Sequence, residues 1–494
     1  MASIIARDYT PRQGLEGARI CVAGLGTSGR AAVDVLSTLG MQVCGIDRSE
    51  AAVQGALEAG LAAVQHCATD EDFAAEACTS DLIVVSPGIA PSSLLYQRAA
   101  AAGIAMMSEI ELAWQLQAPH HDGGYAPWLS LTGTNGKTTT TTMTAAILQA
   151  AGAVAPAIGN VGTPAVLIAA RGGVDALAVE VSSFQLHSTH SVHSWASACL
   201  NFDADHLDWH GGEVGYWQDK ARVHHGTQTA CLYSRTSLET RRMVEEADVT
   251  EGARAISIGT DVPPVAGLGI VDDLLIDRAF IPTRHTEGEV LAQVSDLEHL
   301  APLEGQLPDH ILIDALFAAG LARAAGVAPQ AVAAGLRAYQ PGAHRIQTVA
   351  ELEGVRFIND SKATNAHAAR ACLLAQRPHS VVWIAGGLAK GARFDELVSQ
   401  VRDRLQAVVL IGADPEPLTT ALAAQAPEVP VHRIDPAEES VMRAAVEQAR
   451  AVANRGNVVV LAPACASMDQ FPNYAVRGDE FAAAVRGLKV AHGA

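Results

Sequence analysis

Short, strand-like apolar runs recur along the chain, and most are followed by Ala- and Leu-rich stretches of helical period. A strand buried on both faces is apolar throughout, so this pattern predicts βα units around parallel sheets. The first group predicts strands at 19–23, 42–46 and 82–86, with helices starting near Gly29 and Ala51. The second predicts strands at 128–132, 177–181 and 198–201 and an Ala-rich helical tract ending near Tyr339. Between Ala230 and Leu300 the pattern is weak and acidic, and it assigns no strand. The third repeats the βα beat with strands at 355–358, 381–385, 408–411 and 458–461. The polar stretch 119–124 and the break Gln340-Pro341-Gly342 separate these groups. Domains are therefore expected at 1–121, 122–340 and 341–494. The expected class is α/β: a Rossmann-like N-terminal domain, a central P-loop ATPase-like α/β domain and a Rossmann-like C-terminal domain.

Composition narrows the function classes. The 494 residues suit roughly three domains at about 150 residues each. Lys plus Arg is 34 against 53 for Asp plus Glu, a net charge of −19. That balance lacks the cationic footprint of a nucleic-acid binder and suits an anionic membrane surface poorly. The longest near-apolar stretch, 145–161, is broken by Gln149, Gly152, Pro156 and Asn160, and residues 1–14 carry no apolar signal core. The eight cysteines are scattered without a C-x-x-C pair, which fits a reducing compartment. A soluble, cytoplasmic protein with small-molecule partners, no nucleic acid and no membrane is expected, as a monomer.

Two glycine-rich loops carry the first chemistry. Gly24-Leu25-Gly26-Thr27-Ser28-Gly29 follows a strand and opens a helix, with Asp47 at the end of the next strand. This is a dinucleotide-binding fingerprint, and the plainer alternative is a tight turn whose glycines serve packing alone. Thr132-Gly133-Thr134-Asn135-Gly136-Lys137-Thr138-Thr139 is sharper, although Leu131 stands where a standard P-loop has its first glycine. Its backbone N–H groups can cradle phosphates, Lys137 can neutralise them, and the Thr138 hydroxyl can ligate Mg²⁺.

Other polar groups cluster at strand ends. Glu180 ends an apolar run, where an ATP site holds its metal. His187, His190 and His193 lack a zinc-site context and are read as a solvated face. His206, within Asn201-Phe202-Asp203-Ala204-Asp205-His206-Leu207-Asp208, is a metal or a substrate ligand. In the third group Asn359-Asp360-Ser361-Lys362-Ala363-Thr364-Asn365 follows a strand, as do 386–391 and 462–467. Three polar loops at one sheet edge suggest a binding cleft.

Taken together, these residues resemble the ATP-dependent Mur ligases of bacterial cell-wall synthesis. The resemblance spans all three groups and rests on 132–139, 180–185, 205–208, Lys220, His344-Arg345, 359–365, Lys390 and 462–471. It implies ATP-driven joining of D-glutamate to UDP-N-acetylmuramoyl-L-alanine through an acyl phosphate. By the same resemblance Gly133, Thr134, Asn135, Gly136, Lys137, Thr138 and Thr139 bind the ATP phosphates, and Arg345, Asp360 and Lys362 contact ATP. Thr138 and Glu180 would hold one Mg²⁺. His206 and Lys220 would hold a second, with Lys220 carbamylated. Thr27, Ser28, Asp47, Arg48, Ser86 and Gly88 would bind UDP, with Asn160 and Ser182 nearer the peptide end. Thr364, Lys390, Ser467 and Tyr474 would bind the amino acid, and Lys137, Glu180, His206, Lys220 and Lys362 form the catalytic set. One departure is His310-Ile311, where relatives often carry His-Asn with the Asn on adenine. The alternatives are another amide ligase, such as folylpolyglutamate synthetase, or an NAD-dependent oxidoreductase that leaves the Lys137 loop idle.

Overall fold

The computed structural model describes residues 15–301, 307–389 and 391–491. The chain divides into two compact units, Met1–Leu297 with Ile311–Tyr339, and Glu298–His310 with Gln340–Ala494.

The first unit holds two sheets. One is five-stranded and parallel, in the order Val64–His66, Gln42–Asp47, Arg19–Ala23, Leu82–Val85, Ala105–Met107. Strand order reverses at Arg19–Ala23, so the Gly24 turn sits at a topological switch point. The turn is tight: a Cβ on Gly29 would collide with the Gly24 carbonyl oxygen. The glycines are thus required for packing, whatever else they bind.

The other sheet has nine strands. Strands Ala230–Ser234, Ala196–Cys199, Trp128–Thr132, Leu177–Glu180 and, at one edge, Ala157–Gly159 run parallel in that order. The weakly patterned 230–300 region supplies the far side: Ala230–Ser234, Arg254–Ile258, Gly267–Val271, Leu274–Asp277 and Glu289–Gln293. The last two run antiparallel to their neighbours. Helix Asp309–Ala324 is pinned to this edge by Arg323, which bonds Asp277 (2.9 Å) and Glu289 (3.1 Å).

Helix Glu109–Gln115 joins the two layers of this unit. Val166 N–H donates to Glu109 Oε1 (2.7 Å), and His190 and Ser191 N–H both donate to Glu111 Oε2 (2.8 and 2.9 Å). Burial pushes the Glu109 carboxyl up to about 7, against the pull of backbone N–H bonds from Val166 and Ala165. Its Oε2 is buried with no hydrogen-bond partner. Between about 4.5 and 7 the folded chain therefore keeps a proton that the unfolded chain has lost, so stability falls as pH rises through that window. Glu109→Gln should flatten that slope and be the more stable protein near pH 8, by up to about 3 kcal/mol. Thermal unfolding near pH 5 and pH 8 tests it; an identical pH dependence in both proteins would refute it.

The second unit is built on one six-stranded sheet, in the order Gln347–Leu352, Val355–Asn359, Val458–Leu461, Val381–Gly386, Leu405–Ile411, Val431–Arg433. Only Gln347–Leu352 is antiparallel to its neighbour. The central strands are apolar on both faces because a separate core lies on each side, one around Trp383 and Phe394 and one around Phe357 and Phe481. All four strands expected here form, and two edge strands are added. Among the described residues no helix is long and apolar enough to cross a membrane.

Candidate active site

The phosphate-loop sequence lies between the fully buried strand Trp128–Thr132 and helix Lys137–Ala150. Gly136 caps the helix at φ +79°, and a Cβ there would collide with the Asp314 carboxylate. Only glycine meets both conditions. Lys137 Nζ donates to the Gly133 and Thr134 carbonyls (2.8 and 2.9 Å), which places its charge across the mouth of the loop. Thr134 and Asn135 N–H both donate to Asn201 Oδ1 (2.9 Å each), and Asn201 Nδ2 donates to the Asn135 carbonyl (3.1 Å). Asn201 thus braces the loop from the neighbouring strand end. Thr138 and Thr139 are buried in the first helical turn.

Glu180 stands beside this loop, because strand Leu177–Glu180 pairs with Trp128–Thr132 and sets Glu180 opposite Leu131. The carboxylate is 1% exposed. Its Oε1 accepts from Asn160 Nδ2 (2.8 Å), while Oε2 is buried without a hydrogen-bond partner, as is the nearby Thr132 Oγ1. A buried carboxylate oxygen lacking a donor is costly, and a cation at that edge would relieve it. These residues fit a Mg²⁺ ion. Ser182 caps the helix that follows, and its hydroxyl donates to Gln185 Oε1 (2.9 Å).

Lys220, at the end of helix Glu213–Ala221, is also 1% exposed, with Nζ 4.7 Å from the centre of the Tyr216 ring. Burial, and then the charge of Lys137, lower its ammonium to about 7, against the pull of Asp205 and Asp203. A lysine so placed is substantially a neutral amine near neutral pH, which is the form that adds CO₂. That chemistry fits the implied carbamate. His206 heads the short helix Leu207–His210 at φ +52°, its ring 4.8 Å from Phe184.

A polar chain missed by the sequence reading supports this corner. His210 Nδ1 and His187 Nδ1 both contact Asp219 (2.7 and 3.0 Å), and His210 Nε2 meets Ser183 Oγ (3.0 Å). Burial raises the Asp219 carboxyl, but the bonds from His187 and His210 outweigh it and the net shift is downward. His187 therefore does not belong to a solvated face: its partner Asp219 lies 32 positions along the chain, beyond the reach of a local pattern. His190 is exposed as expected, and His193 is half-buried.

At the first sheet's edge, Thr27 and Ser28 open helix Thr27–Thr38. Asp47 accepts from Leu25 N–H (2.6 Å) and Ser49 N–H (2.7 Å), so it shapes the turn, while each oxygen keeps further acceptor capacity. Arg48 pairs with Asp70, and Ser86 Oγ donates to the Gly24 carbonyl (2.9 Å). A cleft of about 190 Å³ here is lined by Gly24, Asp47, Arg48, Asp70 and Ile89 among others. Gly88 lies in the turn after Ser86.

In the second unit the polar loops all leave the C-terminal ends of parallel strands. Burial raises the Asp360 carboxyl to about 6, against the Ile346 N–H bond and the charge of Arg345. Arg345 lies between His344 and Ile346, both at positive φ. Lys362 Nζ sits 5.3 Å over the Tyr474 ring, Thr364 is half-buried and Ser467 is 4% exposed. A bridge between Leu388 and Ala466 brings two of the loops together. Lys390 lies outside the described residues.

Comparison with known proteins places this arrangement. Residues 18–108 match the Mur ligase MurD-like N-terminal domain, 131–262 the Mur ligase middle domain, and 344–465 the Mur ligase glutamate ligase domain. A protein of Streptomyces avermitilis named UDP-N-acetylmuramoylalanine–D-glutamate ligase is 47% identical over 475 residues, covering 96% of this chain and 99% of the relative. The protein of that name from Bifidobacterium longum is 40% identical over 486 residues, covering 96% and 98%. Among solved structures, UDP-N-acetylmuramate-alanine ligase from Thermotoga maritima has the same fold at TM-score 0.56 and 13% identity, covering 96% of this chain and 100% of its own. E. coli FolC in complex with ADP does so at TM-score 0.53 and 15% identity, covering 78% and 93%. With relatives this close across nearly its whole length, the chain belongs to the Mur ligase family.

Proposed function

We propose that the chain is an ATP-dependent ligase that adds D-glutamate to UDP-N-acetylmuramoyl-L-alanine in cytoplasmic peptidoglycan precursor synthesis. The geometric observation that carries the ATP chemistry is the unpartnered Glu180 Oε2 beside the Lys137 loop. The substrates follow from the names of the full-length relatives.

A carboxylate is a poor electrophile, so the reaction first needs a leaving group on the L-alanyl carbon. A carboxylate oxygen attacks the γ-phosphorus, ADP leaves, and an acyl phosphate remains. The D-glutamate amine then attacks the carbonyl carbon, a tetrahedral intermediate forms, phosphate departs, and the nitrogen gives up its proton. Lys137 and the loop N–H groups bind and neutralise the phosphates. Thr138 and Glu180 would hold one Mg²⁺, and His206 with carbamylated Lys220 a second. These ions would supply charge neutralisation at the transferring phosphoryl group.

In this proposal Thr27, Ser28, Asp47, Arg48, Ser86 and Gly88 bind the UDP moiety, and Asn160 and Ser182 serve the peptide end. Arg345, Asp360 and Lys362 act on ATP. Thr364, Lys390, Ser467 and Tyr474 take the carboxylates of the amino acid. Mg²⁺-dependent phosphate release from ATP, with the UDP-linked acceptor and D-glutamate, L-glutamate or no amino acid, tests the whole reading. Release with D-glutamate alone is expected. Release with a different amino acid or acceptor, and none with D-glutamate, would move the chain to another ligase reaction of the family.

A further inference from the structure

Arg477 lies in the first turn of the C-terminal helix Tyr474–Ala491 and is 1% exposed. Its guanidinium spans two loops. Nε donates to Ser361 Oγ (3.0 Å), Nη2 to the Ser361 carbonyl (2.8 Å) and Nη1 to the Cys465 carbonyl (3.1 Å). Ser361 Oγ in turn donates to the Tyr474 carbonyl (2.7 Å), and Asn359 Nδ2 donates to the Gly478 carbonyl (2.8 Å). Loop 359–365, loop 462–467 and the start of the helix therefore meet at one side chain.

The choice of residue is informative. Among the described residues every hydrogen bond of the Arg477 guanidinium goes to a neutral oxygen, and the Asp469 carboxylate acts on this buried cation only at longer range. Burying a charge in this way costs stability, and an apolar side chain would fill the space at lower cost. What an apolar residue cannot do is hold two loops at a set separation through a rigid, planar fork. The groups proposed to receive the amino acid flank the tethered atoms closely: Lys362 and Thr364 follow Ser361, Ser467 follows Cys465, and Tyr474 is one turn before Arg477.

We infer that Arg477 is a positioning residue that sets the spacing of the amino-acid receptors and so selects an acid of glutamate's length. The inference rests on the proposed D-glutamate reaction. Arg477 is 1% exposed with its guanidinium committed to Ser361 and Cys465, so it acts through the placement of Thr364, Ser467 and Tyr474 relative to one another. Lysine keeps the charge but cannot reach both Ser361 and Cys465 with fixed geometry.

Arg477→Lys should raise KM for D-glutamate at least about tenfold, leaving KM for ATP and for the UDP-linked acceptor within about twofold. Its preference for D-glutamate over D-aspartate should narrow. A purely structural role predicts a different split: a misfolded fraction lowers kcat per mole of protein and leaves every KM unchanged, and that result would overturn the inference. Ser361→Ala removes the Nε acceptor without altering the arginine, and it provides the same reading if Arg477→Lys is insoluble. A several-fold rise in KM for D-glutamate alone is expected there, and an unchanged KM would again overturn it. Wild-type enzyme that releases no phosphate with D-glutamate would instead refute the proposed function, which keeps the two failures apart.

Discussion

Lys137→Ala should lower kcat by at least about a thousandfold and leave the protein folded. The loss corresponds to about 4 kcal/mol of transition-state stabilisation, a magnitude typical of removing a preorganised charge from a phosphoryl-transfer site. The fold should tolerate the change. Lys137 Nζ bonds two loop carbonyls, Gly133 and Thr134, in a half-buried setting, so the structural loss is about 1–2 kcal/mol. Lys137 is also the first residue of its helix, where a positive charge opposes the helix dipole, so its removal returns a few tenths of a kcal/mol. The loop keeps its shape through Asn201, which bonds Thr134 and Asn135 independently of the lysine. Circular dichroism and thermal unfolding alongside phosphate release under saturating substrates make the check. Turnover above about a tenth of wild type in a folded variant would remove Lys137 from the phosphate-binding role.

What the amino-acid sequence conveyed about the strands, and what it did not, follows from their burial. The runs 128–132, 355–358 and 458–461 are largely buried on both faces, so mainly apolar sequence, interrupted by Ser130, Thr132 and Arg356, marked them, and a polar loop follows each run. Region 230–300 hid its strands because several are partly exposed or antiparallel. Arg254–Ile258 buries only its last three residues, and Leu274–Asp277 turns back at Asp272, which sits at φ +56°. Individual site partners were invisible for another reason. Asp314 approaches Gly136 across more than a hundred residues, Asp219 reaches His187 over 32, and Arg477 reaches Ser361 over 116. No local period encodes such pairs. Motif residues were legible because chemistry restricts their identity; the residues that brace them were not, since many side chains can brace a loop and only the folded chain decides which one does.

Lys220→Ala should be as severe as Lys137→Ala, yet partly reversible by a small molecule. Lys220 is fully buried, and burial with the neighbouring Lys137 charge brings it down to about 7. Above that pH the neutral amine predominates and can add CO₂, losing a proton to give a carbamate; below it the ammonium cannot react. Wild-type activity should therefore fall as pH drops below about 7, and it should fall in CO₂-depleted buffer and return with bicarbonate. In Lys220→Ala the space along the Tyr216 ring is vacated, and acetate or propionate can bring a carboxylate into it, so partial recovery of phosphate release is expected. Lys220→Arg keeps the positive charge and fills the space, so it should be inactive and refractory to acetate. The contrast separates two roles for one buried residue. A lysine needed only as a cation would be replaced best by arginine, whereas a lysine needed as the carrier of an anion is replaced best by a free carboxylate. Full activity of Lys220→Ala, or recovery in the arginine variant alone, would make Lys220 a structural amine and remove it from the proposed second metal site.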